Sequence, residues 1–139
     1  MGLICQTKRM KKLTLIFTLL CSTVMFSSNS FAEWEKLKKN SVDGDTFYVD
    51  FERIRKHDGY VYYWVLEDLI KPDKDGDLSY RNYFQGDCKL FRTKLLSGSY
   101  HKGAMGKGTG WTSNPKNPEW EFPTPNSIME DILKLVCSR

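Results

Sequence analysis

The 139-residue chain is poor in the residues that usually carry chemistry: it has two histidines and four cysteines. Neither His57 nor His101 has a cysteine or a second histidine at ligand spacing, which removes the usual zinc patterns and leaves both as surface residues. No Ser-His-Asp or Cys-His set is suggested, so no catalytic residue is assigned. There is no internal repeat and no low-complexity tract. No apolar run reaches bilayer length: the longest, Leu13 to Phe26, is roughly 14 residues where a spanning helix takes about 20. The glycine-rich run Gly103 to Gly110 places Gly108 where a phosphate loop needs Ser or Thr, so that motif fails. Its glycines read as bulges or close backbone approach beside an aromatic such as Trp111. Nothing in the chain calls for a cofactor or a metal.

The apolar run has another meaning. Lys8, Arg9, Lys11 and Lys12 precede it, and Ser30-Phe31-Ala32 closes it with a small-x-small site. Residues 1–32 therefore read as a secretory signal peptide and 33–139 as the mature domain, with Met10 as an alternative start. An uncleaved N-terminal anchor is the other reading. Cys21 raises lipidation, but Leu20 stands where a lipid-modified cysteine needs a small residue. No membrane span remains after cleavage. The whole chain carries +4, and the four cations of the signal account for it. A neutral mature domain gives no support for nucleic-acid binding. Cys88 and Cys137 are the two cysteines left. In an exported chain they read as a disulfide, the alternative being two buried thiols.

The mature region alternates aromatics at period two. Phe47, Val49 and Phe51 suit one strand, and GYVYYWVLEDL (Gly59 to Leu69) is the clearest strand in the chain. Tyr60, Tyr62, Trp64 and Leu66 share one face, and Val61, Tyr63 and Val65 share the other. With both faces apolar, the strand is expected to be central and covered on both sides. Leu78 to Leu96 predicts one long strand or two shorter ones, and Gly106 to Ser113 another. Asp43-Gly44, Asp58-Gly59, Asp75-Gly76 and Ser97-Gly98 read as turns. Asn114 to Pro125 holds four prolines and reads as an extended crossing loop. Ile128, Ile132, Leu135 and Val136 then switch to helical spacing, with Ser127 and Glu130 spaced as a capping box. The expected fold is α+β: an antiparallel meander of about five or six strands, one C-terminal helix on one face, and a disulfide tying them.

Three constellations invite function. Asp43-Gly44-Asp45-Thr46 matches the start of a thermonuclease-type metal site, an alternative reading as a metal-dependent phosphodiesterase. The second carboxylate and glutamate of an Asp-x-Pro-Glu segment do not follow, and there is no proline between Thr46 and Lys71. Asp73 to Asp77 resembles a calcium loop, but Leu78 and Phe84 fall where its glycine and glutamate belong, which leaves a solvated hairpin tip. Between Cys88 and Pro118 there is no acidic residue. Lys89, Arg92, Lys94, Lys102 and Lys107 there form the candidate ligand-binding set for a glycosaminoglycan, anionic lipid or acidic protein surface, against a merely solvated face.

Over residues 34–137 the order of motifs resembles the surface-adhesin protein E family of Gram-negative bacteria. It runs from Trp34 through Phe47-Tyr48-Val49-Asp50, Ile54-Arg55-Lys56, Trp64-x-Leu66-x-Asp68, Tyr80-Arg81 and Asp87-Cys88 to Arg92 and Tyr100. The Gly-rich Met105 to Trp111, Trp120, Pro123-x-Pro125-x-Ser127 and Val136-Cys137 complete it. The resemblance implies an antiparallel sheet with a C-terminal helix tied by Cys88 and Cys137. It implies export to the periplasm or outer surface, and a non-enzymatic adhesin for host matrix or serum proteins, able to form a homodimer. A structural periplasmic homodimer, paired through the Tyr60 to Leu66 face, is the other non-catalytic reading.

Overall fold

The computed structural model describes residues 33–39 and 43–139. The readings of residues 1–32, including the signal peptide and Cys21, lie outside the described residues.

The chain forms β1 (Trp34–Lys39), β2 (Thr46–Asp50), β3 (Arg55–His57), β4 (Tyr60–Asp68), β5 (Ser79–Asp87), β6 (Arg92–His101), β7 (Gly110–Ser113) and helix α1 (Ile128–Cys137). All the strands belong to one antiparallel sheet in the order β1-β2-β4-β5-β6-β7. β3 pairs with the other end of β4 from β2, so β2 and β3 together line one side of β4. Between them lies the 3-10 turn Phe51–Arg53, capped where Asp50 Oδ1 accepts the Arg53 N–H at 3.2 Å. β4 is central because neither of its faces is polar, as its alternation predicts.

Residues paired across antiparallel strands share a face. One face carries Phe47, Val49, Val61, Tyr63 and Val65, and α1 lays Ile132, Leu133 and Val136 on them to make the buried core. Each such side chain stabilises the fold by about 1.5–3 kcal/mol. The helical stripe is shifted from its predicted position: Leu133 is buried and Leu135 only half-buried. Gly86 allows the close approach, since a Cβ there would lie 2.9 Å from both Leu133 Cδ1 and Val61 Cγ1. The cap forms largely as predicted. Ser127 Oγ accepts the Glu130 N–H at 3.2 Å, while Glu130 Oε2 reaches one residue further back and accepts the Asn126 N–H at 2.8 Å. At the other end Cys137 is bonded to Cys88, with Cα atoms 5.7 Å apart.

One turn and one strand assignment change. Ser97 and Gly98 lie inside β6, where the register slips opposite Tyr83 and Phe84 and the extra residue forms a bulge. The glycine serves close packing: a Cβ on Gly98 would lie 2.9 Å from Asn82 Oδ1. The strand expected from Gly106 begins only at Gly110, because residues 102–109 fold back over the face opposite α1. That lid covers one end of the opposite face, so β4 is covered on both sides only there.

A cationic aromatic surface opposite the helix

On the face away from α1, Tyr60, Tyr62, Trp64 and Leu66 alternate out of β4. Leu66 is fully buried beneath the 102–109 lid. Four bonds tie that lid to the strands: Arg81 Nη2 donates to the Gly106 carbonyl at 2.8 Å, Ser79 Oγ donates to the Gly103 carbonyl at 2.6 Å and accepts the Gly106 N–H at 2.8 Å, and Asp68 Oδ1 accepts the Met105 N–H at 2.7 Å. Arg81 explains Gly106 too, since a Cβ there would meet its Nε at 2.0 Å.

Beyond the lid the face is open, and its rings are half-buried. Trp64 stacks on Tyr83 at 4.7 Å, and Tyr62 meets Tyr83 at 6.3 Å. Burial raises the Tyr83 phenol, helped by Tyr62, while Arg55 opposes the rise. Tyr60 stacks on Trp120 at 5.6 Å. Trp120 comes from the proline-rich crossing loop, which docks where Thr93 and Glu121 exchange two backbone bonds of 2.8 Å. Two cations then meet its ring: Arg92 Cζ is 4.5 Å and Lys94 Nζ 4.3 Å from the centroid. Such contacts contribute about 0.5–1 kcal/mol each where exposed. Arg55, in register with Tyr62, is the cation on the opposite flank.

The carboxylates of this face are internally engaged. Asp50 is buried against Arg53, whose Nε lies 3.4 Å away. Asp68 holds the lid. Asp87 Oδ1 accepts the Lys89 and Leu90 N–H groups at 3.1 and 3.0 Å, and its Oδ2 accepts Arg92 Nε at 3.1 Å. Those bonds, Leu90's first, hold the Asp87 carboxyl below the usual range. Asp50 and Asp87 are thus balanced by Arg53 and Arg92, and the cations beside the strip that have no carboxylate partner among the described residues are Arg55 and Lys94.

The predicted basic set does not form one patch. Arg92 and Lys94 share the open face at one end of β6, and Lys89 is exposed in the turn before it. Lys107 is exposed in the lid. Lys102 sits past the far end of β6, about 30 Å from Arg92 at the rise of a strand. There it pairs with Asp77 Oδ1 at 2.9 Å and donates to the Asp75 carbonyl. The Asp73 to Asp77 loop is a hairpin tip whose middle, Lys74 to Gly76, is exposed as expected while its ends are engaged. Asp77 is 1% exposed, and Asp73 accepts the Asp75 and Asp77 N–H groups and the Tyr80 hydroxyl. An ammonium group occupies the position that the calcium reading gives to a metal.

His101 also departs from expectation. It is partly buried, its Nε2 lies 3.0 Å from Ser99 Oγ, and burial together with Arg81 holds its pKa down. His57 is exposed and paired with Asp58 at 3.0 Å, as a surface residue should be. At the thermonuclease-like run, Asp45 Oδ1 accepts the Ile70 N–H at 3.0 Å, so it closes a loop. Arg55, Tyr83 and Trp120 were missed as surface residues. Only the strand pairing reveals them, although the alternation of β4 already placed Tyr60, Tyr62 and Trp64 together.

One antiparallel sheet, a helix bonded across one face and an aromatic, cationic second face define a small β-rich binding module. The chain belongs to the Surface-adhesin protein E family, whose profile matches residues 34–138. Membership places it among adhesin-like surface proteins. Its fold is similar to that of Haemophilus influenzae protein E in a second crystal form, at 18% identity and TM-score 0.57, covering 80% of this chain and 91% of that one. Protein E from non-typeable Haemophilus influenzae is similar at 17% identity and TM-score 0.55, covering 80% and 79%. No curated protein matches the chain. Among the described residues, no helix is long and apolar enough to cross a membrane.

Proposed function

We propose that this is an exported, non-catalytic adhesin-like domain, released by cleavage after Ala32, that binds a host or envelope macromolecule through the open face. The observation that carries this is the half-buried strip Trp64, Tyr83, Tyr62, Tyr60 and Trp120, flanked by Arg55 and Lys94, with Arg92, paired to Asp87, beside Lys94 on the Trp120 ring. Half-buried rings offer contact area at little entropic cost, and the cations select an anionic partner. A second copy of the chain is the other occupant to weigh. It would bury the same rings, but it would also bring a second Arg55 and Lys94 to a face that already carries that pair.

The test is binding of the purified domain to host cells and to matrix-coated wells. Tyr83→Glu, at the centre of the strip, should abolish binding with the fold intact by circular dichroism. Full binding by that variant sinks the assignment of the face. A concentration-dependent dimer by light scattering, broken by the same substitution, favours the homodimer instead.

A further inference from the structure

We infer that the occupant of the open face is a sulfated polysaccharide chain lying across the strands. This rests on the open face being the contact surface. Strand register sets the argument. Arg55 pairs with Tyr62, Tyr62 with Gln85, and Gln85 with Lys94, so one row crosses β3, β4, β5 and β6. It reads cation, phenol, amide, cation. Three strand spacings separate its ends, about 14 Å. A single phosphate or acidic side chain does not span that length; an oligosaccharide carrying an anion at each end does.

The centre of the row suits a sugar. Tyr62 Oη and Gln85 Nε2 are bonded at 3.1 Å and keep further neutral donor and acceptor positions, which match hydroxyl groups. Tyr83 and Trp64 lie beside them as ring surface. The ends suit sulfate. Among the described residues Arg55 bonds through Nη1 alone, to the carbonyls of Glu52 and Ile54, which leaves its other guanidinium donors for an anion. Among the described residues Lys94 has no carboxylate partner, and its ammonium rests on Trp120 beside Arg92. Asp50 and Asp87 are balanced by Arg53 and Arg92, and Asp68 stands at the lid end of the face with its Oδ1 on the Met105 N–H.

The same surface argues against a lipid. Insertion needs protruding apolar side chains that stand together. The exposed ones, Ile70, Leu90, Trp111 and Phe122, sit on four different loops and edges, while the strip itself is half-buried.

The experiment titrates the purified domain with size-defined heparin fragments. Chemically desulfated heparin, poly-glutamate and phosphatidylglycerol vesicles are the controls. Affinity should climb with fragment length until both flanks are reached and then level off, and it should fall with salt. Arg55→Ser and Lys94→Ser should each weaken the long fragment by about tenfold and remove the dependence on length, leaving the melting temperature unchanged. Desulfated heparin should fail. Equal binding of poly-glutamate, binding of vesicles alone, or unchanged heparin affinity in the double variant overturns the inference. If heparin fails while Tyr83→Glu still abolishes attachment to cells, the glycan is wrong and the face remains right.

Discussion

The two faces of this sheet are built from the same alphabet, yet they do different work. On the helix side, Val61, Tyr63 and Val65 vanish under α1, and the polar groups among them are matched internally: the Tyr63 hydroxyl meets Thr93 Oγ1 at 3.1 Å, and burial pushes its pKa up to about 12. On the other side, the alternate residues Tyr60, Tyr62 and Trp64 stay half-buried, with cations at their rims. Lys94 and Lys102 show the same division on one strand. Register sends Lys94 to the open face, where it lies on a ring. Lys102 falls beyond His101 and is consumed by a buried aspartate. A positive residue on this domain is available to a partner only where the fold has not already given it an acid.

The largest expected effect is on the covered face. Replacing Cys88 and Cys137 together by serine releases the end of α1 from a loop of 49 positions, which costs about 4 kcal/mol in the chain-entropy model. Denaturant unfolding measures it. A loss below about 1 kcal/mol would mean that packing alone holds the helix on the sheet.

The two lysines sharpen the contrast next. Lys102→Met leaves Asp77 buried, with Oδ1 lacking any other hydrogen-bond partner among the described residues. The half-exposed lysine softens the loss to about 2–3 kcal/mol. Lys94→Met should stay within about 0.5 kcal/mol of the parent, since only an exposed ring contact goes. Equal effects in thermal unfolding would erase the distinction between the two. For the same reason, charge reversal for binding studies belongs at Arg55 and Lys94 and should spare Lys102 and Arg92, each already paired with an aspartate.

Glu67 gives a smaller effect than Lys102, and one that depends on pH. Burial, then Asp45 and Asp43, raise its carboxyl to about 7. The unfolded chain releases this proton near the ordinary carboxylate value, so the folded state binds the proton more tightly. Glu67 is therefore harmless below about pH 4.5 and increasingly costly as pH rises through 7. Glu67→Gln should raise stability by about 1–2 kcal/mol at pH 8, after allowance for its partial exposure, and change little at pH 4. Melting curves at the two pH values check it; a gain that is equal at both would place the cause in packing.

Much of the fold was legible in residue order. Alternation from Tyr60 to Asp68 marked the central strand, the four prolines marked the crossing loop, and Ser127 with Glu130 marked the start of the helix. What escaped did so for a local reason in each case. The Ser97-Gly98 pair looks like a turn, but a bulge tolerates it inside β6. Leu133 rather than Leu135 is buried because the approach at Gly86 fixes the rotation of the helix, and that glycine lies far back in the chain. Of the candidate site, Arg92 and Lys94 were visible as part of a basic run, but nothing local separated them from Lys102.

By itself the sequence determined the alternation of side chains on each strand, the apolar stripe of the helix and the presence of two cysteines in the domain. These depend on periods of two and 3.6 residues and on residue identity, which need no distant partner. Only the tertiary structure decided that Arg55 and Lys94 close the two ends of one row, that Trp120 swings in beneath Lys94, and that Asp77 claims Lys102. Those neighbours come from the register between strands far apart in the chain, and a single-residue slip would send each of them to the opposite face.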